Sequence, residues 1–112
     1  MLKIVTNNEE ICKNLIVADS FLKRLKGLMF TKELSPDSSL FINPCSQIHT
    51  FFMNYDIDVL YLDKNNVILD IDESIKPGKI GKKVKGAAAV IELQGGKINK
   101  SNIKIGQAIE IT

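Results

Sequence analysis

The sequence has no tryptophan, two cysteines, one histidine, one arginine and no long apolar run. Each shortage removes a class of protein. Two cysteines in 112 residues cannot form the disulfide framework of a small secreted scaffold, although one bridge, Cys12 to Cys45, stays open. A single histidine and no closely paired cysteines leave no strong zinc pattern. Only one arginine is present and no aromatics are interleaved among the lysines of 76–85. A stacking platform is therefore lacking and no nucleic acid partner is expected. No stretch approaches the ~20 apolar residues that cross a bilayer, so no membrane partner is expected either. Residues 1–10 carry neither the apolar core nor the cleavage site of a signal peptide. The chain as given is expected to be cytoplasmic, or a mature domain whose leader was removed. Gly95-Gly96 and Gly78-x-x-Gly81 lack the strand–loop–helix context of a phosphate cradle, and no Gly-x-Ser-x-Gly is present. No cofactor is expected.

What remains is ordinary globular material. Apolar residues make up 45% and charged residues 25%, and Ile, Val and Leu dominate the apolar set, which favours strands. The length suits one domain, residues 1–112. The net charge of +2 is small, but its distribution is uneven. Residues 54–73 hold Asp56, Asp58, Asp63, Asp70, Asp72 and Glu73 against Lys64 alone, whereas residues 74–106 hold eight lysines against Glu92 alone. Two solvated faces that complement each other explain this most simply; a basic patch for an anionic partner is the other reading.

Residues 2–6 and 11–18 read as strands of an opening hairpin, with residues 7–10 as the turn. The clearest helix spans 19–27. Asp19 or Ser20 caps it, Phe21, Leu22 and Leu25 share a face that should lean on a sheet, and Lys23, Arg24 and Lys26 load its C-terminal end. Gly27 supplies the stop and Leu28 the hydrophobic contact beyond it. Residues 40–43 read as a short buried strand ended by Pro44. Residues 48–53 read as the next strand, with Ile48, Thr50 and Phe52 on one face and His49, Phe51 and Met53 on the other. Residues 57–63 and 67–73 form the strongest hairpin, turned by 63–66, and simple pairing sets Asp58 opposite Asp72. Residues 74–86 read as a mobile loop, 87–93 as a strand buried on both faces, and 103–111 as a closing strand. Many short strands with one early helix predict a mainly β or α+β fold, a small barrel-like and mostly antiparallel domain with a short helix near 20–26. An open barrel edge could pair with another chain, so a monomer or weak dimer is expected.

Three stretches carry a family resemblance: Arg24-x-x-Gly27-Leu28-Met29, Pro44-Cys45-x-x-Ile48-His49-Thr50-Phe51-Phe52-Met53, and Ile57-Asp58-Val59-x-Tyr61-Leu62-Asp63. Lys76-Pro77, Val90-x-Glu92-Leu93-x-x-Gly95 and Ile105-Gly106 follow in order. Together they resemble domain-of-unknown-function family 192, from about Phe21 to Ile111. The resemblance implies a β-rich domain with a short helix and no assigned activity. Many members look exported. Asn66 stands where members usually carry Gly, and the segment around Gly78 and Lys79 lacks the aromatic often found after the Pro.

The densest chemistry lies in residues 44–53, which hold the only His, one of the two Cys and two of the five Phe. The first reading is a non-enzymatic binding or accessory domain. Its cleft would be lined by Arg24, Met29, Cys45, His49, Phe51, Met53 and Asp58, and its ligand would be a small molecule or a peptide. The alternative is a thiol enzyme or redox protein with Cys45 as nucleophile and His49 as base, Asp58 or Glu92 orienting the imidazole. A metal-binding domain using Cys45, His49 and one or two of Asp56, Asp58 and Asp63 is a weaker alternative, since the spacing fits no strong zinc pattern. A fourth reading keeps Cys45, Met29 and Met53 as packing residues and gives Arg24 an ion pair to Asp56 or Asp58.

Overall fold

Among the described residues, two sheets and one short helix position everything else. The computed structural model describes residues 1–4 and 8–112, without the side chains of Ile4 and Phe21. Strand β1 (Leu2–Ile4) lies between β2 (Glu9–Cys12) and β8 (Ile109–Ile111), pairing antiparallel with both. The second sheet has the order β3-β4-β7-β5-β6, built from β3 (Asn14–Ala18), β4 (Ser38–Ile42), β5 (Ile57–Leu62), β6 (Ile68–Ile75) and β7 (Ala89–Gln94). All its pairings are antiparallel except β3 with β4. A parallel pair needs a long crossover, and residues 19–37, with helix α1 (Phe21–Lys26), supply it.

The mainly β class with one short helix holds, but the barrel does not close. The chain leaves one sheet at Cys12 and enters the other at Asn14, so the expected run 11–18 is two strands. The five-stranded sheet then ends in β3 on one side and β6 on the other. The opening hairpin survives as β1 and β2; residues 5–7, in and beside its expected turn, lie outside the described residues. The closing strand shrinks to Ile109–Ile111, because the chain turns at Gly106, with φ +94°, instead of running straight.

Alternation along the central strands makes two cores. Leu60, Leu62, Ile91 and Leu93 pack against Leu2, Ile11 and Ile109 of the three-stranded sheet. Val59, Tyr61 and Val90 face the other way, onto Leu28, Leu34, Ile48 and Met53. Strand β7 lies between β4 and β5 and is buried on both faces, as its apolar run predicts. Cys12 lies in the first core, where its Sγ is 3.0 Å from Ser39 Oγ, while Cys45 packs against the second. Both thiols are free, and the Cys12–Cys45 bridge is not formed.

The hairpin β5–β6 turns where expected, with Asn66 at φ +60° and Asp63 Oδ1 accepting from the Asn65 and Val67 amides. Two register shifts set Asp72 opposite Val59 and remove the expected clash with Asp58. The loop 74–86 is tied down and not free. The Lys79 and Gly81 carbonyls and the Gly78, Gly81 and Val84 amides bond to residues 46–50 and Gln47. Thr50 Oγ1 donates to the Lys76 carbonyl at 2.6 Å and accepts from the Lys79 amide at 2.8 Å.

Candidate functional site

Helix α1 starts where Ser20 Oγ accepts from the Lys23 amide, 3.2 Å away. It stops at Gly27, whose φ of +50° and ψ of −124° suit a residue without Cβ. Six residues give little intrinsic helix stability, so tertiary contacts must hold it. Leu22 and Leu25 do not supply them: they are 73% and 56% exposed, contrary to the expected buried face. Leu28, just past the stop, is the residue that buries.

Residues 48–53 do not form the expected strand; a single isolated bridge, at His49, is all that pairs among them. Ile48 and Thr50 are buried, and His49 bridges Ile80. Alternation then breaks, because Phe52 takes φ +59° and the chain turns, leaving Phe52 exposed and Met53 buried. Phe30 mirrors it at φ +64°. The Phe30 amide donates to the Phe52 carbonyl at 2.9 Å, and the two rings stack with centroids 5.3 Å apart. Thr31 braces the pair: its carbonyl accepts from Asn54 Nδ2, and its hydroxyl lies 2.6 Å from the Tyr55 hydroxyl. Two bulky residues held at positive φ while 68% and 65% exposed are strain that packing alone does not demand.

Between α1 and this segment lies a narrow cleft of about 40 Å³, with Arg24, Met29, Cys45, His49, Met53 and Glu92 among its lining. Five of the sequence-predicted residues therefore meet. Phe51 stands beside them, its ring stacked 5.3 Å from His49. Asp58 is placed elsewhere. It is fully buried and accepts from the backbone amides of Ser74, Gly96 and Ile98 at 2.8, 3.1 and 2.9 Å, which ties β5 to β6 and to the turn after β7. Neither Asp58 nor Asp56 pairs with Arg24; Asp56 pairs with Lys76 at 2.9 Å. Arg24 Nη1 donates to the Asp19 carbonyl at 3.2 Å.

Cys45 and His49 share the cleft but are turned to the backbone. Cys45 Sγ donates to the Gln47 carbonyl at 3.2 Å. The Phe51 amide donates to His49 Nδ1 at 3.2 Å, which leaves Nε2 protonated and facing the Leu25 carbonyl at 3.4 Å. Burial pushes the Cys45 thiol above its ordinary pKa, with the Glu92 charge adding and Arg24 opposing. Among the described residues, no three His, Cys, Asp or Glu side chains gather as metal ligands.

Glu92 is the residue that the sequence-predicted cleft omitted. It is 2% exposed at the centre of β7, paired with Leu40 on one side and Val59 on the other. Among the described residues nothing donates to its carboxyl. A Cβ added at Gly27 would lie 3.6 Å from Oε1, so the bare glycine leaves the space above the acid open. Desolvation pushes its pKa up from 4.5 to about 8. The signal was in the sequence: one acid inside the near-continuous apolar run 87–93. A second depression, lined by Glu33, Tyr55, Asp56 and Gln94, is wide open, and its Asp56 is already paired.

The profile of the DUF192 family, described as "Uncharacterized ACR", matches residues 3–111. The chain belongs to DUF192. A UPF0127 protein of Pyrococcus furiosus is 30% identical over 111 residues, covering 95% of this chain and 93% of its own length. A UPF0127 protein of Thermococcus sibiricus is 34% identical over 99 residues, and the match covers 84% of this chain. This DUF192 chain spans only 63% of that relative's length. The crystal structure of a Sinorhizobium meliloti protein, described as a candidate transcription regulator, superposes with a TM-score of 0.84 at 19% identity, covering 97% of this chain and 90% of that one. A protein of unknown function from Novosphingobium aromaticivorans gives 0.80 at 20% identity, covering 87% and 74%. At these identities the likeness is one of fold. No described helix is long and apolar enough to cross a membrane.

Proposed function

We propose that this DUF192 chain is a non-enzymatic binding domain whose site is the cleft beneath α1, with Arg24, Cys45, His49 and Glu92 as its polar groups. One observation carries the reading. Glu92 lies in the middle of an apolar strand, faces the cleft, and has no hydrogen-bond donor among the described residues. Burying most of a carboxyl among apolar groups with no donor from the protein costs on the order of a few kcal/mol, and a donor entering the cleft would offset that cost. Met29 and Met53 give the walls apolar, adaptable surface. The strained Phe30 and Phe52 backbones lie next to those methionines in the chain, in keeping with strain stored at binding sites.

The thiol-enzyme reading has less support. A nucleophilic Cys needs a base or cation that favours the thiolate, whereas burial favours the Cys45 thiol and both nitrogens of His49 are engaged with the backbone.

The test is an amide NMR spectrum titrated with carboxylates, amides and amines of two to eight carbons. Shifts converging on Gly27, His49 and Glu92 are expected for at least one chemical class. Shifts that are absent for all of them, or scattered over the surface, would overturn the binding reading.

A further inference from the structure

We infer that the cleft takes the carboxylate of a small amphipathic acid, held between the Arg24 guanidinium and the Glu92 carboxyl, with the acid's apolar body lying over the rim of Leu25, Phe51 and the Phe30–Phe52 pair. The inference rests on the binding reading above and names the ligand class of the same site.

Charge decides the class. Arg24 lines the cleft, donates only to the Asp19 carbonyl, and forms no ion pair with any described carboxylate. Its planar fork of donors matches a carboxylate. The titratable groups that line the cleft with Glu92 are Arg24 and Lys26 from α1 and Cys45 and His49 from the segment after β4, and the Cys45 thiol and the Tyr55 phenol feel the Glu92 charge. None of them is an acid. Burial keeps Glu92 protonated at neutral pH, so it offers an O–H donor to an incoming anion in place of a repelling charge. An ammonium group would instead meet Arg24 and Lys26.

Size and surface decide the rest. A cleft of about 40 Å³ admits a group of a few heavy atoms and no more, so the body of the ligand must stay outside. Leu25, on the lining, is 56% exposed, Phe51 stacks on His49, and the exposed, stacked Phe30 and Phe52 each follow or precede a lining methionine, Met29 and Met53, in the chain. Aromatic and aliphatic groups exposed beside a polar slot suit an apolar tail.

The test uses octanoate, acetate and octylamine as probes, by calorimetry and amide NMR, between pH 6 and pH 9.5. Octanoate is expected to shift the Gly27, His49 and Glu92 amides and to bind at least tenfold more tightly than acetate. Arg24→Gln is expected to weaken octanoate at least tenfold; its folding is checked by the same spectrum. Above about pH 8, where Glu92 ionises, octanoate affinity should fall about tenfold per pH unit, and in Glu92→Gln that fall should be absent. Octylamine binding in the cleft while octanoate stays silent would overturn the carboxylate and leave the binding site standing. Octanoate binding that is indifferent to Arg24→Gln would also overturn it. No probe moving the cleft amides would overturn both the ligand class and the site.

Discussion

Replacing Glu92 with Gln should change how the stability of this chain depends on pH. In the unfolded chain the carboxyl releases its proton near its ordinary value of 4.5, whereas in the folded chain it holds it to about 8. Between those two values the folded state carries one proton more than the unfolded state. Unfolding free energy therefore falls as pH rises, by about 1.4 kcal/mol per pH unit, and levels off above the folded value. The contribution is fully present below pH 4.5, is reduced by about 3 kcal/mol at pH 7, by about 4 kcal/mol at pH 8, and by about 5 kcal/mol on the plateau above it. No discount for solvent screening applies, since the side chain is 2% exposed. Gln has nearly the same shape and no proton to lose. The other carboxylates are common to both proteins and cancel in the difference. Urea unfolding of wild type and Glu92→Gln at pH 4, 5.5, 7 and 8.5 isolates the term. The variant's stability relative to wild type should climb by about 3 kcal/mol from pH 4 to pH 7. A difference constant within about 1 kcal/mol across that range would mean that Glu92 is solvated or paired, and the account of the cleft floor would fail.

Three further perturbations probe what holds the cleft. Asp58→Asn should cost about 2–4 kcal/mol in urea unfolding, because one buried carboxylate accepts from three backbone amides; a loss under 1 kcal/mol would refute that role. Thr50→Val should cost about 1–3 kcal/mol and speed tryptic cleavage in 76–85, since its hydroxyl joins the Lys76 carbonyl to the Lys79 amide; unchanged cleavage would show that the loop is held without it. Gly27→Ala should cost about 1–3 kcal/mol from its backbone angles alone, and a neutral result in thermal unfolding would place the α1 stop elsewhere.

Local patterns made the strands legible and left the sheet order hidden. The apolar run 87–93 announces a strand buried on both faces, and β7 is that strand. The turn at 63–66 announces its hairpin through Asp63 and Asn66. Which sheet β3 joins depends on a break at Lys13 that has no Gly or Pro to mark it. The register shift that moves Asp72 away from Asp58 falls where Ser74 takes φ +53° and its amide donates to Asp58, a pairing that no local pattern announces. Composition misread 74–86 for a similar reason. Its Gly and Lys content suggests mobility, but its bonds go to Ile48 and Thr50, thirty residues earlier in the chain.

At the site, clustering in sequence found five of the lining residues because Cys45, His49 and Met53 lie within one segment and Arg24 and Met29 within another. Asp58 looked equivalent, an acid among apolar neighbours, yet its strand ends beside three open amides and the carboxylate is consumed by them. Glu92 looks the same in sequence and meets no amide, because its neighbours across both ladders are the mid-strand residues Leu40 and Val59. The difference between a structural acid and a site acid here is thus the supply of unpaired backbone donors, which strand ends provide and strand centres do not. That supply depends on register, so no local pattern could separate the two. It also says why Gly27 matters. An acid in mid-strand can be met only from above the sheet, and a helix that stops on a glycine leaves that approach open.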